Sequence, residues 1–218
     1  MDDFSRTIYV VDDDPAVLDS LAELFSDSQC RVETYATGGE FLARFQPDRI
    51  GCLVLDLRIP DMTGLAVLRM LERDDVTIPT VVISAFGDVP SAVEAMKAGA
   101  VDFLEKPFDP QRLLQLVREA LDRSAVIMEQ RRERADFIAR LHSLTPRELE
   151  VLSHLNDGMS NKEVAIRLEI SDKTVSAHRG ALLGKLALNS TAELARRLTQ
   201  FQIELSRFPG RSPSDHGR

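Results

Sequence analysis

Five polar residues in the first half of the chain are suited to phosphorus chemistry: Asp12, Asp13, Asp56, Ser84 and Lys106. Asp12 and Asp13 follow the apolar run Ile8–Val11, Asp56 follows Leu53–Leu55, Ser84 follows Thr80–Ile83, and Lys106 comes just after Val101–Leu104. If these runs are parallel strands, their carboxyl ends bring the five side chains to the face where open α/β sheets bind ligands. Three carboxylates in one place repel each other and one lysine does not neutralise them, so a divalent metal is implied. Oxygen-only ligands suit Mg²⁺, which keeps several waters and shares its coordination with phosphate. Beside the metal, Asp56 becomes a nucleophile toward phosphorus. Lys106 would offset the charge of the phosphoryl oxygens, and the Ser84 hydroxyl would donate to one of them. A single Asp after a strand is usually a turn cap, and Asp14, Asp61 and Asp102 are read as solvated or capping residues. The set of five is what makes a site. A cis Lys106–Pro107 bond would hold the lysine at the pocket.

The elements that must position these residues alternate. Arg31–Tyr35 completes five candidate strands, separated by stretches of helical periodicity at about 15–27, 38–45, 64–73, 89–98 and 110–121. Runs apolar on both faces predict a doubly wound α/β domain with a five-stranded parallel sheet covered by helices. Asp122 to Arg140 is a charged stretch without Pro or Gly, and is expected to continue the fifth helix. Leu114, Val117, Leu121, Met128, Ala135 and Ile138 recur near heptad spacing, with Ser124 and Arg131 interrupting. A dimerising seam and a solvated single helix both fit. From Leu144 every predicted element is a helix. Thr145-Pro146-Arg147-Glu148 and Ser160-Asn161-Lys162-Glu163 have the capping-box form, and Ser171 caps a third start. The expected organisation is a phosphoacceptor domain at 1–122, a helical linker at 123–142, a helical domain at 143–205 and a disordered tail at 206–218 rich in Pro, Gly and Ser.

The overall charge of −8 argues against nucleic acid, but it hides two opposite halves. Through Asp122 there are 23 acidic and 11 basic residues, net −12, whereas from Arg123 onward there are 12 acidic and 16 basic, net +4. The halves therefore have different partners, and the basic one suits a polyanion. Cys30 and Cys52 are too few for a disulfide framework and are expected as buried thiols in a reducing compartment. No signal peptide or spanning segment is legible, so a cytoplasmic protein with no membrane partner is expected.

Four ordered motifs carry a family resemblance. Val10-Val11-Asp12-Asp13-Asp14, Leu55-Asp56-Leu57-Arg58-Ile59-Pro60-Asp61-Met62-Thr63-Gly64, Ile83-Ser84-Ala85-Phe86-Gly87-Asp88-Val89-Pro90, and Met96-Lys97-Ala98-Gly99-Ala100 through Phe103-Leu104-Glu105-Lys106-Pro107-Phe108 resemble the receiver domain of response regulators. The resemblance spans about residues 5–122 and implies Asp56 as phosphoacceptor. It also implies a Mg²⁺ held by Asp12, Asp13, Asp56 and the backbone carbonyl of Arg58, a switch made of Ser84, Phe103 and Lys106, and a sensor histidine kinase as donor. Phe103 stands where many receivers have Tyr, so this switch ring has no hydroxyl and depends on packing. Phe86, two residues past Ser84, is expected over the phosphoryl pocket, where it would slow hydrolysis.

Leu144-Thr145-Pro146-Arg147-Glu148-Leu149-Glu150-Val151-Leu152, Gly158-Met159-Ser160-Asn161-Lys162-Glu163-Val164-Ala165 and Ile170-Ser171-Asp172-Lys173-Thr174-Val175-Ser176-Ala177-His178-Arg179 are similar to the LuxR-type helix-turn-helix. With such a receiver, the whole resembles the NarL/FixJ class, which implies double-stranded promoter DNA as a partner, a homodimer on phosphorylation and RNA polymerase as a further candidate. Two capped helices joined at a polar turn agree, since the second can enter a major groove. Thr174 and Val175 begin that helix, Lys173, Arg179 and Lys185 are placed to reach phosphates or bases, and Asn161 and Lys162 open the preceding helix against the backbone. His178 has no Cys or His spaced to share a metal and is read as facing DNA or partly packed. Ser176, Ala177 and Gly180 fill the positions nearest base edges and make no bidentate contact, so direct readout is expected to be thin, with Val175 or Ala177 touching a thymine methyl. Gly180 and Gly184 weaken that helix by about 1 kcal/mol each relative to Ala. Ala181 replaces an Asn common in the family. Two other classes stand beside this reading. A phosphohydrolase would want an acid/base carboxylate near Asp56, where position 58 is Arg, and an interaction module would bind protein or RNA through the basic half.

Overall fold

The computed structural model describes residues 6–85, 89–205 and 208. The chain divides into two compact units, Met1–Gln130 and Arg131–Arg218.

The first unit alternates strand and helix, as the periodicity predicts: β1 (Arg6–Val11), α1 (Pro15–Phe25), β2 (Arg31–Tyr35), α2 (Gly38–Arg44), β3 (Ile50–Asp56), α3 (Gly64–Arg73), β4 (Thr80–Ser84), α4 (Val89–Lys97), β5 (Asp102–Glu105) and α5 (Pro110–His142). The strands are parallel in the order β2-β1-β3-β4-β5. Each strand sends alternate side chains to two cores. Tyr9, Val11, Leu53, Leu55 and Val82 pack on one face with Phe41, Val67 and Leu71. Ile8, Val10, Cys52, Val54, Val81 and Ile83 pack on the other with Leu21, Phe25, Leu113 and Val117.

Helix starts are fixed by side chains. Asp14 caps α1 by accepting from the Ala16 N–H, while Thr37 and Thr63 cap α2 and α3. Asp61 also acts as a cap, but across the fold. Its carboxylate accepts the Gly38 and Gly39 N–H groups at 3.0 and 2.8 Å, tying the β3–α3 loop to the start of α2. Those two amides hold its carboxyl below the usual range. Asp102 instead pairs with Arg112 at 3.1 Å.

The fifth helix runs unbroken through the expected linker to His142. This removes part of the dimerising seam, because Val117 and Leu121 are buried in their own unit and Phe137 and Leu141 belong to the core of the second. Ser124, which interrupts the seam, is buried and accepts the Gly51 N–H at 3.0 Å. Cys52 is fully buried, whereas Cys30 is only half-buried, at variance with the expectation of two buried thiols.

The second unit adds α6 (Pro146–Asn156), α7 (Asn161–Arg167), α8 (Asp172–Leu186) and α9 (Thr191–Gln200) to the end of α5. Thr145, Ser160, Ser171 and Ser190 cap the four, the first two in complete capping boxes. The core gathers Leu141, Val151, Leu152, Val164, Val175, Leu182, Leu186, Leu194 and Leu198. Phe208, which falls within the expected disordered tail, is buried in this core with its ring centroid 4.8 Å from that of His142. The other tail residues, 206–207 and 209–218, lie outside the described residues.

Candidate functional site

Strand register assembles the acidic pocket. Val11 lies opposite Leu55, which puts Asp12 and Asp56 side by side at the ends of β1 and β3. Asp56 lies opposite Ile83 and Ser84 opposite Glu105, so Ser84 and then Lys106 each stand one residue further along the sheet edge. The result is a staircase of polar side chains above an apolar sheet. Carboxylate oxygens of Asp12, Asp13 and Asp56 all lie within 4.8 Å of one another. Asp12 and Asp56 are buried while Asp13 is exposed, giving the cluster one open side. Such an all-oxygen set fits Mg²⁺.

Lys106 Nζ bridges Asp12 Oδ2 at 2.6 Å and Asp56 Oδ2 at 2.5 Å. Burial works against its charge, but the two carboxylates outweigh it and hold the lysine above its ordinary range. For Asp12, burial raises the carboxyl above the usual range despite Lys106 and the Asp14 N–H. The Lys106–Pro107 bond is cis. Backbone amides fix the remaining carboxylate oxygens. The Asp14 N–H donates to Asp12 at 3.0 Å, and the Arg58 N–H donates to Asp56 at 2.9 Å. Gly64 closes the loop beyond Asp56, its N–H donating to Leu57 O at 2.9 Å. A Cβ there would stand 2.4 Å from the Asp56 carbonyl oxygen, so the close approach requires glycine.

Phe103 is half-buried against the core beside Ala100 and Val82. Phe86 lies outside the described residues. A cleft of about 640 Å³ opens beside the pocket, walled by Val17, Ser20 and Leu24 of α1 and by Lys106, Pro107 and Phe108.

These strand-end groups lie in the region matched by the family model "Response regulator receiver domain", residues 8–118, and a second model, "Bacterial regulatory proteins, luxR family", matches residues 142–198. The chain is a response regulator of the NarL/FixJ class. Response regulator protein TmoT of Ectopseudomonas mendocina is 39% identical over 90% of this chain and 89% of its own length. Transcriptional regulatory protein FixJ of Rhizobium meliloti is 41% identical over 87% of this chain and 93% of its own. A low-resolution structure of the response regulator StyR superposes with a TM-score of 0.78 at 38% identity, covering 90% of this chain and 99% of that one. The protein is therefore a two-component response regulator acting as a transcription factor, in a family of DNA-binding transcriptional regulators. No helix among the described residues is long and apolar enough to cross a membrane.

In this response regulator the DNA-reading candidates sort by exposure. Lys162, Lys173, Thr174 and Ser176 are exposed, and Asn161, His178 and Arg179 are half-buried. Val175 is fully buried in the helical core, which removes it as a contact to a thymine methyl and leaves Ala177, which is exposed. Val175, one turn into α8, faces α6 and α7, the side that must be apolar for the helices to pack. Lys185 is also redirected. Its Nζ pairs with Glu148 at 2.7 Å, and Glu148 is 5% exposed. Sequence patterning missed this because Glu148 is already accounted for by its capping box. Thr174 bonds its own cap, its hydroxyl 2.7 Å from Ser171 Oγ. Helix α8 is regular through Gly180 and Gly184, where a Cβ would meet nothing within 4 Å.

Proposed function

We propose that phosphorylation of Asp56 switches this response regulator between a resting form and a dimer that binds promoter DNA through α8. The convergence of Asp12, Asp13 and Asp56 at the ends of neighbouring strands, with Lys106 bridging two of them, carries the reading. The ion would be Mg²⁺, held by the three aspartates and the Arg58 carbonyl, and it supplies counter-charge to the phosphoryl oxygens. An Asp56 carboxylate oxygen attacks phosphorus, forming the O–P bond as the P–N bond to the kinase histidine breaks. Lys106 leaves Asp56 for the new phosphoryl oxygens, and the buried Ser84 hydroxyl donates to another. Loss of the Lys106–Asp56 tie and the draw on Ser84 reach Phe103, which lies opposite Val82 on the neighbouring strand, and its ring repacks. The kinase covers the strand ends, and the apolar cleft walled by α1 and Pro107–Phe108 gives it ground beside the nucleophile.

The dimer forms on α4, where Val89, Val93 and Met96 recur at helical spacing and are 75%, 44% and 48% exposed. On DNA, Lys162, Lys173 and Arg179 make the contacts, with His178 and Ala177 near the groove, and RNA polymerase is the partner that bound protein would engage. Asp56→Asn should abolish labelling by acetyl phosphate and Mg²⁺ without changing the circular dichroism spectrum. Stable labelling of that variant at another residue would overturn the assignment, and undiminished labelling of the wild type in excess chelator would remove the metal.

A further inference from the structure

We propose that Asn161 is a positioning residue for DNA reading, holding Ser176 and Arg179 so that Arg179 meets the duplex already ordered. This rests on the reading of α8 as the DNA-binding helix. The Asn161 Nδ2 donates to Ser176 Oγ at 3.0 Å, and Arg179 Nη1 donates to Asn161 Oδ1 at 3.3 Å. Ser176 and Arg179 are three residues apart, so they lie on one face of α8 one turn from each other. A single amide spans that turn. It does so because a primary amide carries a donor and an acceptor on two separate atoms of one short arm, whereas an ionised Asp has no donor and Ser offers only a single oxygen.

The amide itself is held in place. Ser160 caps α7 through its capping box, which fixes Asn161 as the first helical residue, while Val164 and Val175 lock α7 against α8 in the core. The network lies at the surface, with Ser176 exposed and Asn161 and Arg179 half-buried, so burial does not demand it. Arginine has five N–H donors, and holding it through Asn161 leaves others for phosphate or a guanine edge. A long side chain ordered before binding loses less freedom on the complex, which raises affinity and fixes direction. Asn161 thus acts through Arg179 rather than by touching DNA, and Ser176 serves the network instead of reading a base.

A double-mutant cycle separates these roles. The full-length chain, treated with acetyl phosphate and Mg²⁺, is used first to select a duplex from a randomised library, and that duplex becomes the probe beside a random one. Asn161→Ala should weaken the selected duplex about tenfold while changing the random duplex little, Arg179→Ala should weaken the selected duplex at least as much, and the double variant should be no worse than Arg179→Ala alone. Ser176→Ala, which leaves the start of α7 untouched, should lose part of the discrimination at an unchanged melting temperature. Losses that multiply in the double variant would overturn the proposal, as would Ser176→Ala discriminating like wild type. If the wild type selects no sequence, the DNA reading fails and the proposal falls with it. A selected sequence with a multiplicative cycle condemns the positioning role only.

Discussion

Glu148 brings a carboxylate into the helical core, where it accepts from the Thr145 N–H and hydroxyl and from Lys185. Burial pushes its carboxyl up, but those partners together outweigh burial and hold it below its ordinary 4.5. A carboxyl lowered by folding contributes stability that is present above pH 4.5 and lost as the pH falls through the folded value. The helical unit should therefore lose stability on acidification below about that point, followed by its far-ultraviolet melting curve. Lys185→Met should remove most of this acid sensitivity and cost about 1–3 kcal/mol, discounted because the lysine is 39% exposed. If Lys185→Met leaves stability unchanged and lowers the salt slope of DNA binding by about one, the lysine belongs to the DNA and not to Glu148. Gly64→Ala is the matching change at the acidic pocket. A Cβ 2.4 Å from the Asp56 carbonyl forces the loop to move, so labelling by acetyl phosphate should slow and the first unit should lose about 1–3 kcal/mol. Wild-type labelling in that variant would show that the loop yields without disturbing Asp56.

Between residue and molecule, each helix of the second unit is opened by a hydroxyl, and three are closed by an arginine. Arg147 donates to Leu168 O at 2.7 Å, Arg140 to Leu186 O at 3.3 Å and Arg134 to Phe201 O at 3.2 Å. Part of the positive surplus of this half thus sits at helix carboxyl ends, where it complements the helix dipoles. Inside α8, a Cβ at Gly180 or Gly184 meets open space, so Ala at either should stabilise the unit by about 1 kcal/mol, seen as a higher melting temperature. A fall in DNA affinity with that rise would show that the glycines serve the groove. These cases explain what was legible. The strand-end residues Asp12, Asp56, Ser84 and Lys106 could be read because a parallel strand sends its last residue to a known edge, whatever packs around it. Residues whose roles come from distant partners were harder. Lys185 and Ser124 each look like something else in one dimension, since the ion pair and the N–H acceptor depend on residues 37 and 73 positions away, and the burial of Val175 depends on the packing of separate helices. Helix α5 was foreseen as continuous, yet its heptad spacing mixed positions facing two separate cores.

At the scale of the whole molecule, the acidic and basic halves correspond to two units with opposite tasks. Val93→Lys, on the exposed α4 stripe, should keep labelling at Asp56 but hold the phosphorylated protein as a monomer in sedimentation. A dimer surviving that change would move the interface elsewhere. The two units also differ in how far apart in sequence their partners lie. In the sheet, β1 pairs with both β2 and β3, so Val11 must find Tyr35 and Leu55, and every strand waits for a helix to be closed between it and the next. In the second unit the caps sit three residues from what they bond, and helices follow one another through short turns. Local contacts form before distant ones, since loop closure must precede any reward from a non-local pair. Refolding after a denaturant jump should then be biphasic, with the helical half regained first and the sheet later. During synthesis the order of emergence is reversed, so the slow-folding half leaves the ribosome ahead of the fast one and has the length of the rest of translation in which to settle.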